Sequence, residues 1–229
     1  MSNIYAIILA GGIGKRMGQD TPKQFIKIKN KPVIIRTIER FVLPQITGII
    51  ITVPEDFIDY TGKLIKEFAV QNIIKIIKGG ETRQGSSYNA ITCMDFHNDD
   101  ILVFHDAARP FIETQTIELC IKEADAHGAS GVYLKATDTI AKINEGFVRY
   151  IPDRDKLYYT QTPQAFRYNI IKKAHELAIS NGLHNPTDDV QLVLNAGFKV
   201  KIVEGDSRNI KITNAFDLEL AEFIAGKAI

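Results

Sequence analysis

The sequence of 229 residues contains no tryptophan, two cysteines and three methionines. Neither charge is in surplus: 28 Lys+Arg stand against 27 Asp+Glu, a net charge of +1. Proteins that grip DNA or RNA by its phosphates carry a basic excess, which is missing here. The acidic excess of a disordered, solvating chain is missing too. No stretch reaches the roughly 18 apolar residues needed to span a bilayer. Met1-Ser2-Asn3 brings no charged segment ahead of the short apolar run that Gly11-Gly12 ends, so it makes a poor secretion signal. Cys93 and Cys120 have no metal-type spacing, and His97, His105, His127, His175 and His184 form no ligand pair, which argues against zinc. Two isolated thiols in helical patterns are expected to be reduced core residues of a cytoplasmic protein. The partners expected are small molecules, with no nucleic acid and no membrane.

What is present is an ordinary globular composition, 45% hydrophobic and 24% charged. The length suits a single domain over residues 1–229. The even charge balance hides an asymmetry. Residues 1–40 hold eight basic and two acidic groups, a local charge of +6, and the other 189 residues hold 20 and 25, a charge of −5. A local positive field in a neutral protein suits a small anion; a solvated basic face would read the same way.

Short apolar runs alternate with helical periodicity. Strands are expected at 4–9, 48–53, 73–77, 101–105, 131–135 and 199–203, and helices at 32–42, 56–68, 85–96, 114–126, 168–180, 188–195 and 215–224. This βαβα order predicts an α/β fold, a Rossmann-like, mostly parallel sheet flanked by helices. Residues 136–160 break the rhythm. Two alternating segments flank Asn144-Glu145-Gly146 and read as an inserted β-hairpin arm. A projecting hairpin cannot bury both faces alone, so it either packs back or exchanges with a partner chain.

Ala10, Gly11, Gly12 and Gly14 follow the first strand, where an open α/β sheet binds its ligands. Glycines there let backbone N–H groups approach phosphate oxygens. The spacing is neither that of a Walker A loop nor that of the dinucleotide fingerprint. What distinguishes it is Lys15-Arg16, with Pro22-Lys23-Gln24-Phe25 beyond. Fixed cations beside a glycine loop hold a triphosphate and stabilise charge at a transferring phosphorus. Asp106 ends the fourth strand in His105-Asp106-Ala107-Ala108-Arg109-Pro110. A carboxylate at that place suits Mg²⁺, which takes one or two carboxylates plus phosphate oxygens. Arg109 can fork onto a phosphate, or pair with Asp106. His105 has no acidic partner nearby and reads as structural.

These stretches resemble the polyol-phosphate cytidylyltransferases, of the nucleotide-diphospho-sugar transferase fold type. The resemblance continues through Gly79-Gly80 with Arg83 and Ser86, Asp138-Thr139, Arg154, Gln161-Thr162-Pro163-Gln164-Ala165-Phe166, Thr187-Asp188-Asp189, Gly205-Asp206 and Asn209–Thr213, nearly the whole chain in order. It implies CTP as substrate and Mg²⁺ as cofactor. It implies catalytic roles for Arg16, Lys23 and Lys211 on the phosphates, and cytosine reading by Gly80, Glu81 and Ser86. Asp106 lies on both the metal and acceptor sides, and Arg109, Thr139, Arg154, Thr162 and Thr187 hold the acceptor. The 136–160 arm is implied to join a homodimer, with Arg154 acting from the partner. Thr187-Asp188-Asp189 also reads as a plain helix start.

A phosphate monoester is already an anionic nucleophile, so in-line attack on the α-phosphorus of CTP needs no general base. Ala10-Gly11-Gly12 and Ile151-Pro152 resemble the ribitol-phosphate branch, whereas Thr187–Asp189 and Asn209–Thr213 fit the methylerythritol-phosphate branch. The expectation favours ribitol 5-phosphate, giving CDP-ribitol for cell-wall synthesis. The alternative is 2-C-methyl-D-erythritol 4-phosphate of isoprenoid synthesis. A further alternative is a non-catalytic nucleotide-binding module.

Overall fold

A computed structural model describes residues 2–12, 22–183 and 186–227. The first half builds β1 (Ile4–Leu9), the two-residue strands β2 (Lys27–Ile28) and β3 (Lys31–Pro32), α1 (Val33–Glu39), β4 (Gly48–Val53), α2 (Ile58–Glu67), β5 (Ile73–Lys78), α3 (Arg83–Ile91) and β6 (Ile101–Asp106). The second builds α4 (Thr114–His127), β7 (Ala129–Lys135), β8 (Lys142–Asn144), β9 (Phe147–Tyr150), β10 (Tyr158–Arg167), α5 (Tyr168–Ser180), α6 (Asp189–Asn195), β11 (Lys201–Glu204) and α7 (Ala215–Gly226).

Among the described residues one sheet runs in the order β11-β7-β10-β6-β1-β4-β5. Its strands are parallel except β10, which runs antiparallel to both β6 and β7. The apolar runs of β1, β4 and β6 serve two faces, because side chains alternate along a strand. Ala6, Ile8, Ile49, Ile51 and Val103 pack on α1, α2 and α4, while Tyr5, Ile7, Ile50, Leu102 and Phe104 pack on α3, α5 and α6. The expected α/β class, with a mostly parallel sheet flanked by helices, is the observed one.

Two local outcomes differ from expectation. β10 is a ten-residue strand in mid-sheet, where the sequence suggested only a motif. Proline is confined in sheets to edges and bulges, and Pro163 sits in the register shift between Thr160 and Gln164. The expected helix at 85–96 is shorter and starts earlier, because Thr82 caps it: its side chain accepts a hydrogen bond from the Gly85 N–H at 3.0 Å. The 136–160 segment does contain a hairpin, β8 paired with β9, with positive φ at Glu145 and Gly146 as its turn requires.

From β1 the chain moves outward to β4 and β5, then crosses back from β5 to β6 on the other side of β1. The sheet therefore reverses its winding between β1 and β6, and a crevice opens at their carboxyl ends.

Candidate active site

The crevice holds a cavity of about 200 Å³, walled by Ala10-Gly11-Gly12 after β1, Lys23 and Gln24, residues 80–83 and Ser86 at the start of α3, residues 106–108 after β6, and Lys211. Gln24 is buried and fixes the first loop, its Nε2 donating to the carbonyls of Ala10 (2.7 Å) and Gly12 (3.2 Å). Gly80 N–H donates to Ser86 Oγ at 3.0 Å, and Ser86 Oγ donates to the Thr82 carbonyl at 3.0 Å. A Cβ on Gly11 would lie 2.7 Å from Ser86 Oγ, so the first loop packs closely on α3 here and a larger residue would have to move the Ser86 hydroxyl.

Two cations converge on Asp106. Lys211 Nζ is 2.7 Å from its Oδ2, and Arg83 Nε is 3.4 Å from its Oδ1. Burial alone would raise the Asp106 pKa, but Arg83 and Lys211 together hold it far below the ordinary carboxylate range. The two cations thus favour its ionised form. Lys23 Nζ donates to the Ile212 carbonyl at 2.9 Å. Ile212 N–H donates to the Ala108 carbonyl, so the segment after β11 closes over the end of β6 and carries Lys211 to the cavity.

Support comes from β10. Asp106 N–H donates to Thr162 Oγ1 at 3.2 Å, and Thr162 Oγ1 lies 3.0 Å from His105 Nδ1. His105 Nε2 lies 3.0 Å from the Arg109 carbonyl, which can only accept, so Nε2 carries the proton and Nδ1 accepts from Thr162. Burial pulls the His105 pKa down to about 4 and keeps the ring neutral. The reading of His105 as structural agrees with this geometry.

The residues implied for the nucleotide come together: Ala10, Gly11, Gly12, Lys23, Gly80, Glu81, Ser86, Asp106 and Lys211 all line the one cavity. Gly14, Lys15 and Arg16 lie outside the described residues. The residues implied for the acceptor are more scattered. Thr162 is buried, with its hydroxyl committed as above. Arg109 Nη1 donates to the Asn209 carbonyl at 2.8 Å. Thr139 and Thr187 are exposed, and Arg154, exposed too, donates to the Thr137 carbonyl at 3.1 Å. None of these five is among the described residues lining the cavity. Arg83 was noted only within a motif, yet it supplies a wall of the site and a partner for Asp106. Among the described residues no group of three or more His, Cys, Asp or Glu forms a metal cluster.

Comparison with known proteins decides the family. Residues 4–227 match the family described as "IspD: 2-C-methyl-D-erythritol 4-phosphate cytidylyltransferase". The chain belongs to this family. A member from Clostridium perfringens is 43% identical over 224 residues, 97% of this chain and 98% of that one. Another from Thermosipho africanus is 38% identical over 219 residues, 95% and 96% of the two chains. The solved 4-diphosphocytidyl-2C-methyl-D-erythritol synthase of Anaerococcus prevotii superposes with a TM-score of 0.86 at 28% identity, covering 99% of this chain and 97% of that one. The chain is a nucleotidyltransferase, one of the IspD cytidylyltransferases, as the resemblance to polyol-phosphate cytidylyltransferases implied.

The preference for ribitol 5-phosphate is overturned by these matches, all of which are to the methylerythritol branch. Gly11 packs against Ser86 and the neighbouring Gly79 backbone, and Ile151 and Pro152 lie at the foot of the hairpin, outside the cavity lining.

Proposed function

We propose that the protein transfers CMP from CTP to 2-C-methyl-D-erythritol 4-phosphate, releasing pyrophosphate, in isoprenoid synthesis in the cytoplasm. The observation that carries the reading is the shared wall of glycine backbone, Lys23, Lys211 and Asp106 at the switch point, in a chain 43% identical to a protein named for that reaction. Backbone N–H groups of the first loop and the Lys23 ammonium meet the triphosphate, with Arg16 completing the cationic set. Gly80, Glu81 and Ser86 form a narrow recess suited to the edge of a pyrimidine. Lys211 leaves Asp106 for the phosphates when substrate enters. Catalysis rests on alignment and charge neutralisation.

Asp106 fits Mg²⁺ as a single ionised carboxylate on the cavity wall, since Mg²⁺ takes one or two carboxylates and fills its other positions with phosphate oxygens and water. The ion would supply further charge neutralisation there.

The acceptor groups Arg109, Thr139, Arg154, Thr162 and Thr187 complete their site in a homodimer. Support comes from the arm, which exposes Ile143, Phe147, Val148, Tyr150 and Ile151 with no partner among the described residues to cover Phe147, 78% exposed. Sedimentation at micromolar concentration is expected to show a dimer, and a monomer would remove the arm from the acceptor site.

No helix among the described residues is long and apolar enough to cross a membrane. The deciding experiment is pyrophosphate release with CTP and Mg²⁺, comparing 2-C-methyl-D-erythritol 4-phosphate with ribitol 5-phosphate. Turnover is expected with the first and is expected to be lower by at least about tenfold with the second, the scale on which a pocket contact discriminates. Equal turnover, or none, would refute the acceptor.

A further inference from the structure

We infer that Asp189 and His175, neither of which lines the cavity, are positioning residues for the nucleotide site, acting through Arg83 on Asp106. The inference rests on the CTP reading above. Asp189 opens α6 and is 1% exposed, His175 in α5 is fully buried, and Ser87 in α3 is fully buried. Three helices thus meet on one carboxylate. His175 Nε2 donates to Asp189 Oδ1 at 3.1 Å, Ser87 Oγ donates to Oδ2 at 3.0 Å, and Arg83 Nη1 donates to Oδ2 at 2.6 Å. Burial opposes ionisation of Asp189, and Arg83 and His175 hold its pKa below the ordinary range all the same. A buried ionised network of this kind is not needed for packing, because apolar residues of the same volume stabilise as well.

Its geometry points outward to the site. The Arg83 fork touches two carboxylates, tightly at Asp189 and at 3.4 Å from Asp106 Oδ1. Its third nitrogen, Nη2, is buried with no hydrogen-bond partner among the described residues. Among the described residues the guanidinium is therefore held by the two carboxylates. With Asp189 drawing it back, Asp106 keeps Oδ2 for Lys211 and its remaining lone pairs for the cavity. With Asp189 uncharged, Asp106 would be the carboxylate left, among the described residues, to the Arg83 guanidinium, which would close on it and take the lone pairs that otherwise face the cavity. His175 and Ser87 hold Asp189 to this task from α5 and α3.

A double-mutant cycle tests the relay, comparing wild type, Asp189→Asn, Arg83→Met and the pair. The readouts are the Kd of CTP with Mg²⁺ by calorimetry, kcat and KM for CTP, and the melting temperature. Asp189→Asn is expected to weaken CTP binding by about tenfold, the low end for losing a residue that orients a ligand-contacting one. That penalty is expected to vanish in the Arg83→Met background. A penalty of equal size in both backgrounds would overturn the relay. Should Asp189→Asn fail to fold, His175→Gln is expected to weaken CTP binding less, and again only where Arg83 is present. Arg83→Lys is expected to behave like Arg83→Met, since one ammonium cannot span both carboxylates; wild-type affinity in Arg83→Lys would also overturn it. Wild-type protein unable to bind CTP would sink the functional reading and the relay together, whereas intact CTP binding with an Arg83-independent penalty would sink the relay alone.

Discussion

Lys23→Ala is expected to lower kcat/KM by about 10²-fold or more, the cost of removing a preorganised electrostatic stabiliser from a reaction centre. Lys23 opens a short 3-10 turn, Lys23–Phe25, directly behind the buried Gln24 anchor, so its backbone is fixed. Its ammonium donates to the Ile212 carbonyl and lies on the cavity wall. A structural role and a charge role therefore coexist, and one substitution separates them. Lys23→Gln keeps a donor for the carbonyl but carries no charge. It is expected to lose as much activity as Lys23→Ala while melting close to wild type. Near-wild-type kcat/KM in either variant, at unchanged melting temperature, would remove Lys23 from the chemistry.

Gly80→Ala is expected to be damaging for the opposite reason, since it adds an atom where none fits. The new Cβ would lie 2.5 Å from the Gly85 carbonyl carbon, 2.7 Å from Gly85 Cα and 2.8 Å from the Ser86 nitrogen. All three are backbone atoms of the α3 entrance, so no rotamer relieves the contact. Either the 80–82 loop or the first turn of α3 must move, at about 1–3 kcal/mol of stability, the usual cost of overpacking. The same shift breaks the Gly80–Ser86 hydrogen bond and reshapes the recess proposed for cytosine. KM for CTP is expected to rise by more than about tenfold, as one lost pocket contact implies. Gly62→Ala in α2 is the control, since Gly62 is not among the residues lining the cavity and a Cβ there meets only Ile76 Cδ1, at an ordinary 3.8 Å, among the described residues. If Gly80→Ala bound CTP as tightly as Gly62→Ala, the recess would not be the base site.

The scaffold was legible because each of β1, β4 and β6 is a short apolar run bounded by glycine, proline or a charged turn, and such runs have few other uses. β10 was not legible as a strand. Gln161, Thr162, Pro163 and Gln164 carry no strand signature, and the bulge that makes room for Pro163 is a tertiary event. The nucleotide wall was legible because its glycines and lysines are local in sequence. The Asp189–Arg83 pair was not, since 106 positions separate its members and Asp189 alone reads as an ordinary acid in a first helical turn. The acceptor preference failed because two letters were taken as reporters of the polyol. One of them, Gly11, lies in the nucleotide wall against Ser86.

β10 has a consequence for how the molecule comes apart. Tyr158, Tyr159 and Thr160 are paired on one side only, to β7, and are exposed, whereas Gln164 to Phe166 are paired on both sides and buried. The join between these halves, at 161–163, is where the Asp106 amide, the His105 ring and the Asn209 side chain all find their partners. Fraying that begins at the foot of the arm is therefore expected to stop at Gln161, short of the carboxylate. The strand works like a seam sewn double at one end, and the reaction centre rests on the end that does not unravel.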